Sequence, residues 1–164
     1  MLTGNTIFSM ITFREDLCTI INNSLTYKYT LGGQYLLSAE VYHYWGFQKL
    51  YSTIKYQSVK KIKHADMLIK RSLFIGCVPI LGKMEQVKIG GTLIEHFNFN
   101  LSIESISITN LDKGLASSQV QRDKNTFILL GAILEEDKLF YDWLEYQIFL
   151  ISRIGEKNYL IKYG

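Results

Sequence analysis

Four stretches of the chain repeat apolar residues at alternating steps of three and four, and each carries an ionisable side chain within the same stripe. That spacing keeps side chains on one face of an α-helix. The first stripe runs Leu17, Ile21, Ser24, Lys28, Leu31, Tyr35, Ser38, Tyr42 and Trp45, and the second Leu50, Ile54, Gln57, Lys61, His64, Leu68, Arg71 and Ile75. The third is Leu93, Phe97, Asn100, Glu104, Ile108, Leu111 and Leu115, and the fourth Leu130, Ile133, Asp137, Phe140, Leu144, Ile148 and Ile151. Four such stripes must be buried against one another, which predicts an all-α four-helix bundle. Its inward ionisable residues are Lys28, Lys61, His64, Glu104 and Asp137, so the centre is polar and sets two ammonium groups against two carboxylates.

With 164 residues, 48% of them hydrophobic, the chain buries one sizeable core and reads as a single domain, residues 1–164, with 1–13 expected as a loosely ordered extension. The only proline, Pro79, follows Gly76 just past the second stripe, where a helix ends and the chain turns. From there to Ile89-Gly90-Gly91 the sequence reads as a long crossover. A crossover of this length predicts that the second and third helices run parallel, since antiparallel neighbours need only a tight turn. Trp45-Gly46-Phe47 and Gln121-Arg122-Asp123 are the short links of the other pairs.

Several function classes have little support. The longest apolar run, Phe127 to Leu134, is far short of a membrane span, and Met1 to Phe13 lacks the basic start of a signal peptide, so a cytoplasmic protein is expected. The net charge of +3 comes from lysines scattered along the helices, with Lys60-Lys61-Ile62-Lys63 the one dense patch, which argues against a nucleic-acid partner. Cys18 and Cys77 form no metal or redox spacing and are expected as reduced core or helix-end residues, although antiparallel first and second helices would bring them near each other.

Carboxylates projecting inward from all four helices of a bundle, with a histidine one turn beyond a glutamate on two of them, make two adjacent oxygen-rich metal sites. From about Leu17 to the C-terminus the chain resembles a bacterioferritin. The likeness is carried by Gln34-Tyr35, Ala39, Trp45-Gly46, Leu50, His64-Ala65-Asp66, Arg71, Leu73-Phe74, Pro79, Leu81, Ile89-Gly90, Glu104, Leu111, Asp142-Trp143-Leu144-Glu145, Gly155 and Asn158-Tyr159-Leu160 at their joint spacing. The resemblance implies a ferritin-like bundle with a short fifth helix after Gly155, packed around a symmetry axis. It also implies an iron-storage shell of twenty-four subunits, a di-iron ferroxidase centre in each bundle, and haem between subunits.

The implied site carries over only in part. The family's first-helix glutamate falls at Lys28 and its second-helix glutamate at Lys61, while the histidine of that second motif is kept as His64. Glu104 is kept, the fourth-helix glutamate is shortened to Asp137, and the histidine one turn later is Phe140. Three of six ligand positions, His64, Glu104 and Asp137, thus keep a metal-binding side chain. Tyr35 matches the family's tyrosine beside the centre, or is an aromatic core residue with a hydroxyl partner. The haem-ligating methionine falls at Ile62, which has no donor atom, and the cavity-facing histidine and aspartate fall at Tyr56 and Lys60.

Charge decides what these changes mean. An ammonium ~5 Å from a metal ion opposes each of its positive charges by roughly 3 kcal/mol at an effective dielectric of ~20. Neighbouring carboxylates favour keeping the ammonium charged, so it cannot ligate. Lys28 and Lys61 are therefore expected to pair with Glu104 and Asp137, with iron bound weakly or at partial occupancy. Three readings follow: a shell subunit with an impaired ferroxidase centre, a residual ferroxidase acting through His64, Glu104 and Asp137, or a structural partner of ligand-complete subunits in a mixed shell.

Overall fold

The computed structural model describes residues 4–84, 86 and 91–164, with side chains from residue 16 onward. Five helices follow in order: α1 (Gly4–Tyr44), α2 (Gln48–Phe74), α3 (Leu93–Val120), α4 (Lys124–Ile154) and the short α5 (Glu156–Tyr163). No strand occurs among the described residues, and no helix is long and apolar enough to cross a membrane. The backbone is helical from Gly4, through most of the stretch expected as an extension, whereas Ile89-Gly90 of the crossover lies outside the described residues.

Side-chain pairings give the directions of the helices. Glu40 meets Lys55 and the Gly32 carbonyl meets Ser58, so α1 and α2 are antiparallel. Tyr42 meets His96, Tyr35 meets Glu104, and Lys28 meets Ser107, so α3 also opposes α1. It follows that α2 and α3 run parallel, as the long crossover predicts. Lys61 with Asp137 and Arg71 with Asp123 set α4 against α2.

The predicted stripes are the buried ones. One apolar layer contains Leu31, Tyr35, Tyr42, Ile54, Phe97 and Leu144, and the other contains Leu17, Ile21, Leu68, Leu111, Leu130 and Ile133. Lys28, Lys61, Glu104 and Asp137 lie between them, almost completely buried. Trp45 departs from its stripe and is 45% exposed. The helix ends at Tyr44 and Gly46 turns the chain at φ +88°, which carries the indole out of helical register and stacks it 6.2 Å from His96.

Local chemistry fixes the helix ends. Thr92 and Glu95 form a reciprocal capping box at the start of α3, satisfying two otherwise unpaired backbone N–H groups. At α4 the carboxylate of Asp123 accepts from the Thr126 amide, and the Arg71 guanidinium grips the same carboxylate at 2.6 and 2.8 Å. Gly155, at φ +77°, breaks α4 from α5, and the buried Tyr159 of α5 donates to Gln147 at 2.8 Å. The short final helix is thereby locked onto α4.

The cysteines differ from expectation. Cys18 and Cys77 are joined by a disulfide, with their Cα atoms 5.5 Å apart. Antiparallel packing of α1 and α2 brings residues 59 apart in sequence to one end of the bundle, the proximity that antiparallel helices imply, and there the two thiols are oxidised rather than reduced.

Candidate functional site

Each helix of the bundle contributes one charged residue to the central layer because each stripe reaches mid-helix at that position. Lys61 Nζ on α2 lies 2.6 Å from Glu104 Oε1 on α3 and 2.7 Å from Asp137 Oδ1 on α4. Lys28 on α1 donates to the other oxygen, Asp137 Oδ2, and to Ser107 Oγ at 3.0 Å. Asp137 thus bridges both lysines, one on each oxygen. Tyr35 donates its hydroxyl to Glu104 Oε1 at 2.7 Å, while Glu104 Oε2 is buried without a hydrogen-bond partner among the described residues.

The two lysines titrate in opposite directions. Burial pushes Lys28 below the ordinary lysine value, and the nearby Lys61 ammonium pushes the same way; Asp137 and Glu104 offset this only in part. Lys61 is equally buried, but two carboxylates in direct contact outweigh that cost and raise it. Burial would raise Asp137, yet Lys28 and Lys61 together hold it below the usual carboxylate range. Tyr35 is raised well above the ordinary phenol value, first by burial and then by Glu104, so its hydroxyl stays protonated and donates.

His64 faces the edge of this layer. Its Nε2 lies 2.8 Å from Glu136 Oε2, and its Nδ1 lies 3.8 Å from Asp137 Oδ1. Burial lowers the imidazole below its usual value, so it is neutral near pH 7. A carboxylate only accepts, so Nε2 carries the proton and Nδ1 points a lone pair inward, buried and without a hydrogen-bond partner among the described residues. Lys60 holds Glu136 from the other side at 3.0 Å. A groove of about 400 Å³ between α2 and α4, lined by Tyr56, Lys60, Lys63, His64, Met67 and Glu136 among others, opens onto this pair.

The remaining positions carry no donor toward the centre. Phe140 packs edge-on against Tyr35 at 5.4 Å and stacks on Trp143 at 5.3 Å, and its ring centroid is 5.9 Å from Lys61 Nζ. Ile62 points away, 42% exposed, toward the α1 backbone at Gly32. Tyr56 and Lys60 lie on the outer side of α2, with the ammonium 5.9 Å from the ring centroid.

The donor set does not fit a pair of metal ions. Glu104 and Asp137 do converge, but on an ammonium nitrogen, and no group of three or more His, Cys, Asp or Glu residues able to hold a metal occurs among the described residues. Formal charge in the layer sums to zero without a metal: Lys28 and Lys61 balance Glu104 and Asp137. Two contributors escape the sequence stripes. Ser107 is one turn beyond Glu104 and was open to discovery by that spacing, whereas Glu136 sits beside Asp137, off the stripe, and had no such signal.

A ferritin-like domain model matches residues 18–154. The chain is 36% identical to a bacterial ferritin of Synechocystis sp. over 77% of its own length and 82% of that protein. It is 32% identical to a bacterial ferritin of Pseudomonas aeruginosa (85% and 91% covered) and 28% identical to a bacterioferritin of Mycobacterium leprae (88% and 91%). Together with the antiparallel helix pairs, the parallel α2 and α3 joined by a crossover, and the short α5, these matches establish that the chain belongs to the ferritin-like domain family.

Proposed function

We propose that the chain is a subunit of a bacterioferritin-like iron-storage shell, acting in intracellular iron homeostasis, whose ferroxidase centre is replaced by an ion-paired layer. One observation carries this reading: Lys61 Nζ bridges Glu104 and Asp137, holding the two carboxylates through hydrogen bonds of 2.6 and 2.7 Å. In this reading iron is cargo enclosed by the shell. The bundle contributes walls rather than fast oxidation, alone or beside ligand-complete subunits. The packed Phe140 ring and the donorless Ile62 support the loss of both the sixth ligand and the usual haem attachment.

A second reading is a residual ferroxidase that oxidises Fe(II) with dioxygen. It is favoured by the inward lone pair of His64 Nδ1, 3.8 Å from Asp137, and by Glu104 Oε2, buried without a hydrogen-bond partner among the described residues. The lysines weigh against it, because any divalent ion there must displace or neutralise an ammonium already held by two carboxylates.

Ferrous oxidation kinetics on the purified particle separate these readings, beside a variant carrying Lys28→Glu, Lys61→Glu and Phe140→His. Fast oxidation only in the variant supports the ion-paired centre, whereas equal fast rates in both overturn it in favour of the second reading. Native particle size is measured on the same sample; a monomer rules out the shell.

A further inference from the structure

The crossover leaves α2 and lies along α1 on a regular set of attachments. Cys18, Asn22 and Thr26 are spaced four apart, which places them on one stripe of α1. Cys18 is bonded to Cys77. Asn22 donates to the Val78 carbonyl at 3.0 Å and accepts from the Ile80 amide at 3.1 Å, and Thr26 Oγ1 accepts from the Gly82 amide at 2.8 Å. The segment is otherwise poorly anchored: Val78 and Ile80 are exposed, and residues 75–84 contain no helix or strand. The covalent attachment stands at the head of this ladder, where Gly76, at φ +77°, turns the chain out of α2.

We propose that the Cys18–Cys77 disulfide is a redox-set clamp on the crossover: oxidised, it holds residues 77–84 along α1, and a dithiol reductant releases that segment while the bundle stays folded. Two features support a local device. Beyond the disulfide, side chains of α1 hold the described part of the segment through three hydrogen bonds, two of them exposed and one partly buried at Thr26, each of modest net strength. The bundle has its own two apolar layers and an ion-paired centre, none of which includes the cystine. In the reaction, one thiolate of the reductant attacks Sγ of Cys18, the more accessible sulfur-bearing residue, and Cys77 leaves as thiolate. The second thiol of the reductant then displaces Cys18, closing the reductant's own disulfide and transferring two electrons to the protein. Reducible disulfides in proteins of reducing compartments have this sensing character. The proposal is independent of whether the centre oxidises iron.

Amide hydrogen exchange on the intact protein, air-oxidised and then treated with dithiothreitol, tests this. On reduction, exchange at Ile80 and Gly82 rises by about tenfold or more, while the amides of α1 to α4 keep their protection. A Cys18→Ser, Cys77→Ser variant matches the reduced protein with or without reductant. Asn22→Ala loosens Ile80 in the oxidised protein, yet its exchange still responds to reductant. Three results overturn the proposal: unchanged exchange at Ile80 and Gly82, equal loss of protection throughout the helices, or an oxidised sample that is not about 2 Da lighter than the reduced one.

Discussion

The Nζ of Lys61 sits 2.6 Å from Oε1 of Glu104, the same carboxylate oxygen that accepts the Tyr35 hydroxyl. Tyr35 and Lys61 come from different helices, so this oxygen is a junction of α1, α2 and α3. Through Asp137 the ammonium also reaches α4. One side chain therefore ties together three of the four helices, and its removal is the most informative single change.

Lys61→Ala leaves Glu104 and Asp137 buried with one cation, Lys28, which is held to Asp137. Uncompensated buried charge of this kind costs about 3–5 kcal/mol. Chemical denaturation at matched subunit concentration in metal-free buffer reads this loss. Divalent cations then raise the midpoint of the variant and leave the wild type unchanged, because only the variant frees the carboxylates toward His64 Nδ1. Equal stabilisation of both proteins contradicts the ion-paired layer.

The pH profile follows from Asp137. Lys28 and Lys61 hold its folded-state value below the usual carboxylate range, so its contribution is fully present above the unfolded value of about 3.9 and is lost as pH falls through the folded value. Wild type should therefore lose stability steeply below about pH 4. Asp123 and Glu136 are lowered as well and share in that limb. The difference between wild type and Asp137→Asn isolates the Asp137 part: the gap narrows as the pH drops. A gap that stays constant from neutral to acid pH contradicts the assignment.

Raised by its carboxylates, Lys61 works at the other end of the scale. Its contribution is full below the unfolded lysine value of about 10.4 and is lost as pH rises through the higher folded value. Lys28, lowered by burial, acts in the opposite sense, relieving its burial cost as it deprotonates. Stability should thus fall more steeply with alkaline pH in Lys28→Met, which keeps Lys61 and lacks the opposing group, than in Lys61→Met, measured as the change in denaturation midpoint along a pH titration.

Phe140→His restores a ligand side chain without touching the lysines. If repulsion rather than a missing ligand silences the centre, this variant oxidises ferrous iron at the wild-type rate. Stopped-flow absorbance after ferrous addition checks it. Fast oxidation in the single variant shifts the cause from Lys28 and Lys61 to Phe140.

Away from the centre, Asp123→Ala removes the cap of α4 and both hydrogen bonds to Arg71 Nη2 together. The expected loss is about 1–2 kcal/mol, near the upper end for a single cap because a charged partner goes with it. Arg71→Ala alone costs less, since Asp123 still accepts from the Thr126 amide.

Much of this architecture was legible along the chain. The four stripes, the two short links at Gly46 and at residues 121–123, and the parallel α2 and α3 all follow from spacing and link length, because helical periodicity is a local property. The signs at the centre were legible for the same reason: Lys28, Lys61, Glu104 and Asp137 each lie on their stripe. Glu136 was not, since its partner His64 lies 72 residues away and its own position points off the apolar face. Trp45 followed the periodicity one residue too far, where helix termination overrides it.

The sequence by itself determined that Lys28, Lys61, Glu104 and Asp137 face inward and that two cations must meet two carboxylates, because within a continuous helix burial and sign follow from register and side-chain chemistry. Only the tertiary structure decided how they divide. It gave Asp137 to both lysines, shared one Glu104 oxygen between Lys61 and Tyr35, turned His64 outward to Glu136, and joined Cys18 to Cys77. Those outcomes depend on distances between helices, which packing sets and no local pattern contains.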